Sequence, residues 1–258
     1  MTGARDAAPL GILAALHDEI ADLLTRMGPA AERRTIGMRD YYVGQLSGRP
    51  CVVVLARVGK VAAAATAVTL IREFGVSHVL FAGLAGGIAD GVRVGDVVVA
   101  ETLVQHDLDA RPLFPRFEVP LLAQARFATD AGLNDVLAGC AADFLELDLP
   151  HQVDAATRAR FGIATPVLHR GEIASGDQFI GAAEVARRLA GDLPATLCVE
   201  MEGAAVAQVC HEYGVPCAVL RTVSDRADAA APVDFKAFLH EVASFYSAGI
   251  IGRFIAAL

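Results

Sequence analysis

The sequence predicts an α/β protein, a single-domain three-layer α/β/α sandwich around a central mixed, mostly parallel sheet. Two observations predict it. Short apolar runs alternate with amphipathic or Ala-rich stretches along most of the 258 residues, and strands that alternate with helices form a largely parallel sheet covered on both faces. No linker-like stretch divides the chain, and a chain of this length can bury one large core. The composition, 54% hydrophobic and 20% charged with no Trp, suits a core of Ala, Val and Leu.

Residues 10–16 are an apolar run that gives way to His17-Asp18-Glu19 and an amphipathic stretch, a buried strand feeding a helix. Residues 41–46 and 51–55 flank Ser47-Gly48-Arg49-Pro50 as a hairpin. Residues 60–74 form an Ala-rich helix closed by Gly75. A strand over 76–82 runs into Gly83-Leu84-Ala85-Gly86-Gly87, predicted as a flexible turn at a strand end. A strand over 97–104 continues into 105–120, rich in Pro, Phe and charge, a long functional or interface loop. Helices are expected at 121–146 and 152–160, and a strand over 164–174 ends in Ser175-Gly176-Asp177. The last third predicts helix 181–190, strand 195–200, helix 202–213, strand 216–223 and a helix from Asp234 onward. Residues 1–9 are expected to be a flexible N-terminus, with the domain over 10–258.

Several function classes are excluded on composition. No uninterrupted apolar run reaches the roughly 18 residues that span a bilayer. Residues 1–9 lack the basic start, apolar run and cleavage site of a secretory signal, which points to the cytoplasm. Five cysteines without a CxxC pair read as reduced core residues. A net charge of −8 without a long Lys/Arg cluster argues against nucleic acid or an anionic membrane as partner and for a small neutral or cationic ligand. His106, Asp107 and His211 are too scattered for a metal site, so neither metal nor cofactor is expected. There is no Walker or GxGxxG pattern and no GxSxG elbow.

Acidic residues fall where strands end: Glu19, Asp177, Glu200 or Glu202, and Asp225. Cleaving a ribosyl C–N bond needs an acid for the departing base, a base for water, and negative charge beside an oxocarbenium-like sugar. Carboxyl groups can fill all three roles, and any one of them can equally cap a helix. Glu200-Met201-Glu202 precedes an apolar helix, and burying acids costs several kcal/mol unless they are paired. Ribose hydroxyls would partner one acid, and Arg221 on the next strand would balance the charge. A purely structural Arg–Glu pair is the plainer account. Asp225, steadied by Ser224, can donate to a purine ring nitrogen if its pKa is raised.

Four separated motifs, GILAALHDE (11–19), AGLAGGIADGVRVG (82–95), SGDQFI (175–180) and VEMEGAAVAQVCHEYGVPCAVLRTVSDRAD (199–228), resemble the 5′-methylthioadenosine/S-adenosylhomocysteine nucleosidases of the nucleoside phosphorylase superfamily. The resemblance implies a nucleoside phosphorylase-like fold and hydrolysis of a purine nucleoside. It makes Glu19 the base for water, Asp225 the acid at adenine N7 with Ser224 holding it, Glu202 the ribose ligand beside Met201, and Arg221 the holder of the acidic cluster. Ala85 and Gly86 belong to the glycine loop against the substrate, Phe179 stacks on the base, and the backbone of Ile180 reads its edge. Leu16, Val58 and Phe235 line the 5′-substituent pocket. The family is usually homodimeric, and the partner's loop, here around Leu113 with Phe114 and Phe117 nearby, helps close that pocket. For these apolar residues core packing explains the pattern equally well. The chain departs from the family at Leu84, where relatives commonly carry Ser; a Leu side chain cannot hydrogen-bond water. The 111–120 insert and Gly203 also differ from the commonest bacterial form.

Three rival functions remain on sequence alone. A phosphorylase would need Arg and Ser around a phosphate, where this chain has Leu80, Phe81 and Leu84. A futalosine-type nucleosidase and a non-catalytic nucleoside-binding protein are the others.

Overall fold

The computed structural model describes residues 8–258; most of the expected N-terminal segment lies outside the described residues. In order come β1 (Leu10–Ala14), a 3₁₀ turn (His17–Glu19), α1 (Ala21–Met27), β2 (Glu32–Ile36), β3 (Arg39–Leu46), β4 (Arg49–Leu55), α2 (Lys60–Glu73), β5 (His78–Gly87), β6 (Val97–Gln105), β7 (Arg126–Ala128) and α3 (Ala131–Asp143). Then follow α4 (Leu149–Gln152), α5 (Ala155–Arg160), β8 (Leu168–Ser175), α6 (Ala183–Asp192), β9 (Thr196–Glu200), α7 (Gly203–Tyr213), β10 (Cys217–Asp225), α8 (Ala231–Phe238) and α9 (Ser244–Ala257). All strands join one sheet in the order β10-β6-β8-β9-β5-β1-β4-β3-β2, with β7 beside β6.

Alternation along each central strand builds two cores, one per face. Ile12, Leu80, Ala82, Ala218 and Leu220 pack with Leu23 of α1, Leu137 of α3, Phe238 of α8 and Ile250 of α9. Leu13, Val79, Phe81, Cys217 and Val219 pack with Ala63 and Ala67 of α2 and Val206 and Ala207 of α7. The three-layer α/β fold expected from the alternation is therefore present. All five cysteines are free and buried, and no helix among the described residues is long and apolar enough to cross a membrane.

One further pairing shapes the site. β10 pairs with β5 as well as β6, so β10, β6, β8, β9 and β5 close on themselves. β5 meets β9 antiparallel at Gly86↔Val199 and Gly87↔Cys198, while β10 runs parallel to β5 with Arg221↔Gly83 and Asp225↔Gly86. The C-terminal ends of β5, β9 and β10 therefore converge, and with them Glu200 and Asp225.

The structure corrects several expectations. Residues 83–87 are not a flexible turn but the end of β5, because their backbone is hydrogen-bonded to β10 and β9. Residues 121–125 are not helical: Phe127 is drawn into the core by β7 pairing with β6, and α3 starts only after Asp130, whose carboxylate caps Leu133 N–H at 2.9 Å. Of the expected helix over 152–160 only residues 155–160 form one, capped by Asp154, while Gln152 ends the separate short helix α4. The strand expected from 164 begins at Leu168. The final helix begins at Ala231 and passes through a π-helical turn at Leu239–Ala243. β2, charged and mostly exposed, had no apolar signal.

Candidate active site

A cavity of about 330 Å³ opens where these strand ends meet. Its wall includes Leu16, Glu19, Val58, Ala85, Gly86, Phe179, Ile180, Met201, Glu202, Arg221, Asp225 and Phe235, which are sequence-singled residues drawn from distant segments. It also includes Leu84, Gln178 and Glu200. Ser224 stands behind the wall as Asp225's partner. Leu113 is not on the wall of its own chain; it is 83% exposed, since its segment runs over the outer surface.

Glu19 is buried at 3% exposure because the 3₁₀ turn after β1 folds it back over its own chain. Its Oε2 accepts the backbone N–H groups of Ala15 (2.9 Å) and Leu16 (2.8 Å), and Oε1 accepts Leu84 N–H at 3.2 Å. Burial raises its pKa to about 7, against the pull of those N–H groups and of Arg221. Leu84 thus contributes to the site through its backbone.

Glu200 and Arg221 form a buried pair at the cavity floor. Arg221 donates through Nη2 and, at 3.2 Å, through Nε to Glu200 Oε2, and its guanidinium lies 4.1 Å from the centre of the Phe81 ring. Glu200 also accepts from the backbone N–H of Glu202 and Gly203 and from Ser175 Oγ. Ser175 Oγ in turn accepts Ala204 N–H at 2.7 Å. Glu200 therefore caps α7 and neutralises Arg221, and removing one partner of such a pair costs about 3–5 kcal/mol. Residue chemistry left open which of the two glutamates faces a ligand, and the family resemblance implied Glu202. Glu200 is taken up by Arg221, whereas the structure records one backbone contact for Glu202, Gly59 N–H to Oε1 at 2.8 Å. Burial, followed by repulsion from Glu200, raises the Glu202 pKa to about 7.

Asp225 ends β10. Ser224 Oγ donates to its Oδ2 at 2.9 Å, and Ala227 N–H to its Oδ1 at 2.9 Å. Burial pushes its pKa above the usual carboxylate range against those two donors, with Asp234 and Asp228 adding repulsion. Gly86 makes room for it: a Cβ there would lie 2.9 Å from Asp225 Oδ1 and 3.2 Å from the Ala227 Cβ. Gly86→Ala is expected to displace the carboxyl and lower turnover at least tenfold, with a melting temperature near that of the native protein. Unchanged turnover would mean that Asp225's position is not critical.

The model of the phosphorylase superfamily matches residues 9–256. The chain belongs to this superfamily. Within it, the chain is 33% identical over 232 residues to a 5′-methylthioadenosine/S-adenosylhomocysteine nucleosidase of Shewanella denitrificans, covering 89% of this chain and 91% of that protein. It is 35% identical over 234 residues to an aminodeoxyfutalosine nucleosidase of Helicobacter pylori, covering 91% and 92%. Among solved structures, the native futalosine hydrolase of H. pylori superposes with a TM-score of 0.83 at 33% identity, covering 98% and 99%. The Neisseria meningitidis nucleosidase in complex with methylthio-immucillin-A superposes at 0.82 and 31%, covering 97% and 99%. These superfamily members are nucleosidases, and the chain joins them in the class of N-ribosyl hydrolases.

Sequence reasoning noted Leu84 and Ser175 but not that they act through backbone or from behind the wall, and it missed Ala15 and Gly59 altogether. Gly59 left one trace, a glycine directly before the Ala-rich helix; its φ of +101° favours glycine.

Proposed function

We propose that the protein hydrolyses the N-glycosidic bond of a 5′-substituted adenine nucleoside, 5′-methylthioadenosine first and S-adenosylhomocysteine second, releasing adenine and the 5-thioribose product. One observation carries this reading: Glu19, Glu202 and Asp225 share a cavity whose only cationic wall residue, Arg221, is already paired with Glu200. Negative charge favours an oxocarbenium-like sugar and disfavours a phosphate beside it. In this reading Asp225, whose pKa burial raises, donates a proton to N7 as the C–N bond breaks. Glu19 takes the proton from the attacking water, and Glu202 holds the ribose hydroxyls. Leu16, Val58 and Phe235 supply an apolar wall for the 5′-substituent, and Phe179, edge-to-face with Phe235 at 5.7 Å, stacks on the base.

A second reading, a futalosine-type substrate, is favoured by the mouth of the cavity. Val58 is 50% and Phe179 48% exposed, so a longer 5′-group has an exit. We also infer a homodimer in which the segment around Leu113 of a second copy closes that mouth.

Adenine release from methylthioadenosine should proceed equally with and without phosphate, and a chromatographic assay of free base checks this. Strict phosphate dependence would make the protein a phosphorylase, and release stopping at one equivalent would make it a binder. Faster release from aminodeoxyfutalosine would favour the second reading.

A further inference from the structure

Beside Glu202, outside the cavity wall, three chain segments are tied into a ring of hydrogen bonds. Lys60 is held at both ends: its backbone N–H donates to Asp177 Oδ1 at 2.8 Å, and its ammonium donates to Asp107 Oδ1 at 2.6 Å and Gln105 Oε1 at 2.9 Å. Asp107 Oδ2 accepts the backbone N–H of Asp177 at 2.8 Å, which closes the ring. Gln105 Nε2 then donates to Gln208 Oε1 at 2.7 Å on α7, the helix that begins immediately after Glu202. The turn carrying Gln105 and Asp107 is itself pinned. His106 between them is buried, and its ring lies where a Cβ on Gly176 would have to sit.

Lys60 and Asp107 are only 16% and 17% exposed at their side chains, and a partly buried ion pair with satisfied geometry is stronger than a surface one. Burial raises the Asp107 pKa, but the Lys60 ammonium and the Asp177 N–H outweigh it, so the carboxyl stays below its usual range. The ring adds polar ties at the Gly59–Lys60 step, where the side chains face outward. Arg57, Val58 and Val61 are exposed, whereas the flanking Ala56 and Ala63 are buried in the core and Arg39 donates to the Ala56 and Ala62 carbonyls. The start of α2 supplies Val58 to the cavity wall and Gly59 N–H to Glu202.

We propose that Lys60 and Asp107 are positioning residues, which hold the Gly59 N–H on Glu202 and so set that carboxylate against the ribose hydroxyls. The inference rests on the nucleosidase reading for the identity of Glu202's ligand. Neither residue touches substrate; both act through Gly59.

The test compares Lys60→Met and Asp107→Asn with the native full chain, on 5′-methylthioadenosine and on its 2′,3′-dideoxy analogue. With the ribosyl substrate KM should rise roughly tenfold, more than kcat falls. The variant-to-native ratio should return close to one on the dideoxy analogue, which has nothing for Glu202 to bind. Lys60→Arg should recover part of the loss. Gln105→Leu, which cuts one leg and leaves the ion pair, should give a smaller shift in the same KM. Equal losses on both substrates in an active protein, or a Gln105→Leu protein with unchanged KM, would overturn the inference. Absence of turnover in the native protein would defeat the nucleosidase reading instead.

Discussion

Asp225→Asn is expected to lower kcat/KM for adenine release about a thousandfold, in the middle of the range for loss of a general acid. The change is isosteric. The side-chain carbonyl can still accept Ala227 N–H, and the new amide N–H₂ faces Ser224 Oγ, which can turn to accept from it. Fold and ground-state binding should therefore survive, and the loss should fall on kcat. What disappears, on the proposed reading, is a carboxyl able to donate a proton to the purine, its pKa raised by burial. Steady-state release of free base, with a melting curve as control, measures the effect. A loss below tenfold would remove Asp225 from the acid role.

Glu19→Gln is expected to lower kcat by a comparable factor and to change how stability depends on pH. The native carboxyl has a pKa near 7, so turnover should rise with pH through that region as the base ionises, and the variant should keep only the part of the rise that belongs to Glu202, whose pKa is also about 7. The same shift bears on stability. An acid whose pKa is higher folded than unfolded binds more protons in the folded state between about pH 4.5 and 7. Stability therefore falls as pH rises through that window, by about 3 kcal/mol for this one group. Below it, Glu19 is protonated in both states and the penalty vanishes. Denaturant unfolding at pH 5 and pH 8 should show native protein losing more stability than Glu19→Gln over the same interval. Equal losses would mean that the folded carboxyl titrates in the ordinary range.

The alternation of apolar runs with helical stretches was legible because each core strand presents both faces to helices. Ile12 and Leu13, neighbours in β1, go to opposite cores. The acids at strand ends were legible because a buried carboxylate after an apolar run must cap a helix, pair with a cation or face a site, and several together favour a site. The 83–87 segment misled because glycines are common to turns and to tightly apposed strands, and only the pairing of β5 with β10 and β9 tells which applies. Residues 121–125 misled because helical periodicity is local, whereas Phe127 is claimed by a strand more than twenty residues earlier in the chain. The backbone donors to Glu19 left no side-chain signature, and the donor to Glu202 left only a glycine before the helix.

The sequence by itself determined the layered α/β fold and the family, and it singled out Glu19, Glu202, Arg221 and Asp225, which line one cavity, because hydrophobic period and residue chemistry are written in the side chains. Tertiary structure alone decided which of these acids are paired and which face the cavity. Closure of β5 onto β9 and β10 gives Glu200 to Arg221, leaves Glu202 one contact from Gly59, and buries Glu19 deep enough to titrate near neutrality. Charge pairing and desolvation depend on what surrounds a group in space, and residues 140 positions apart become neighbours only when the sheet has closed.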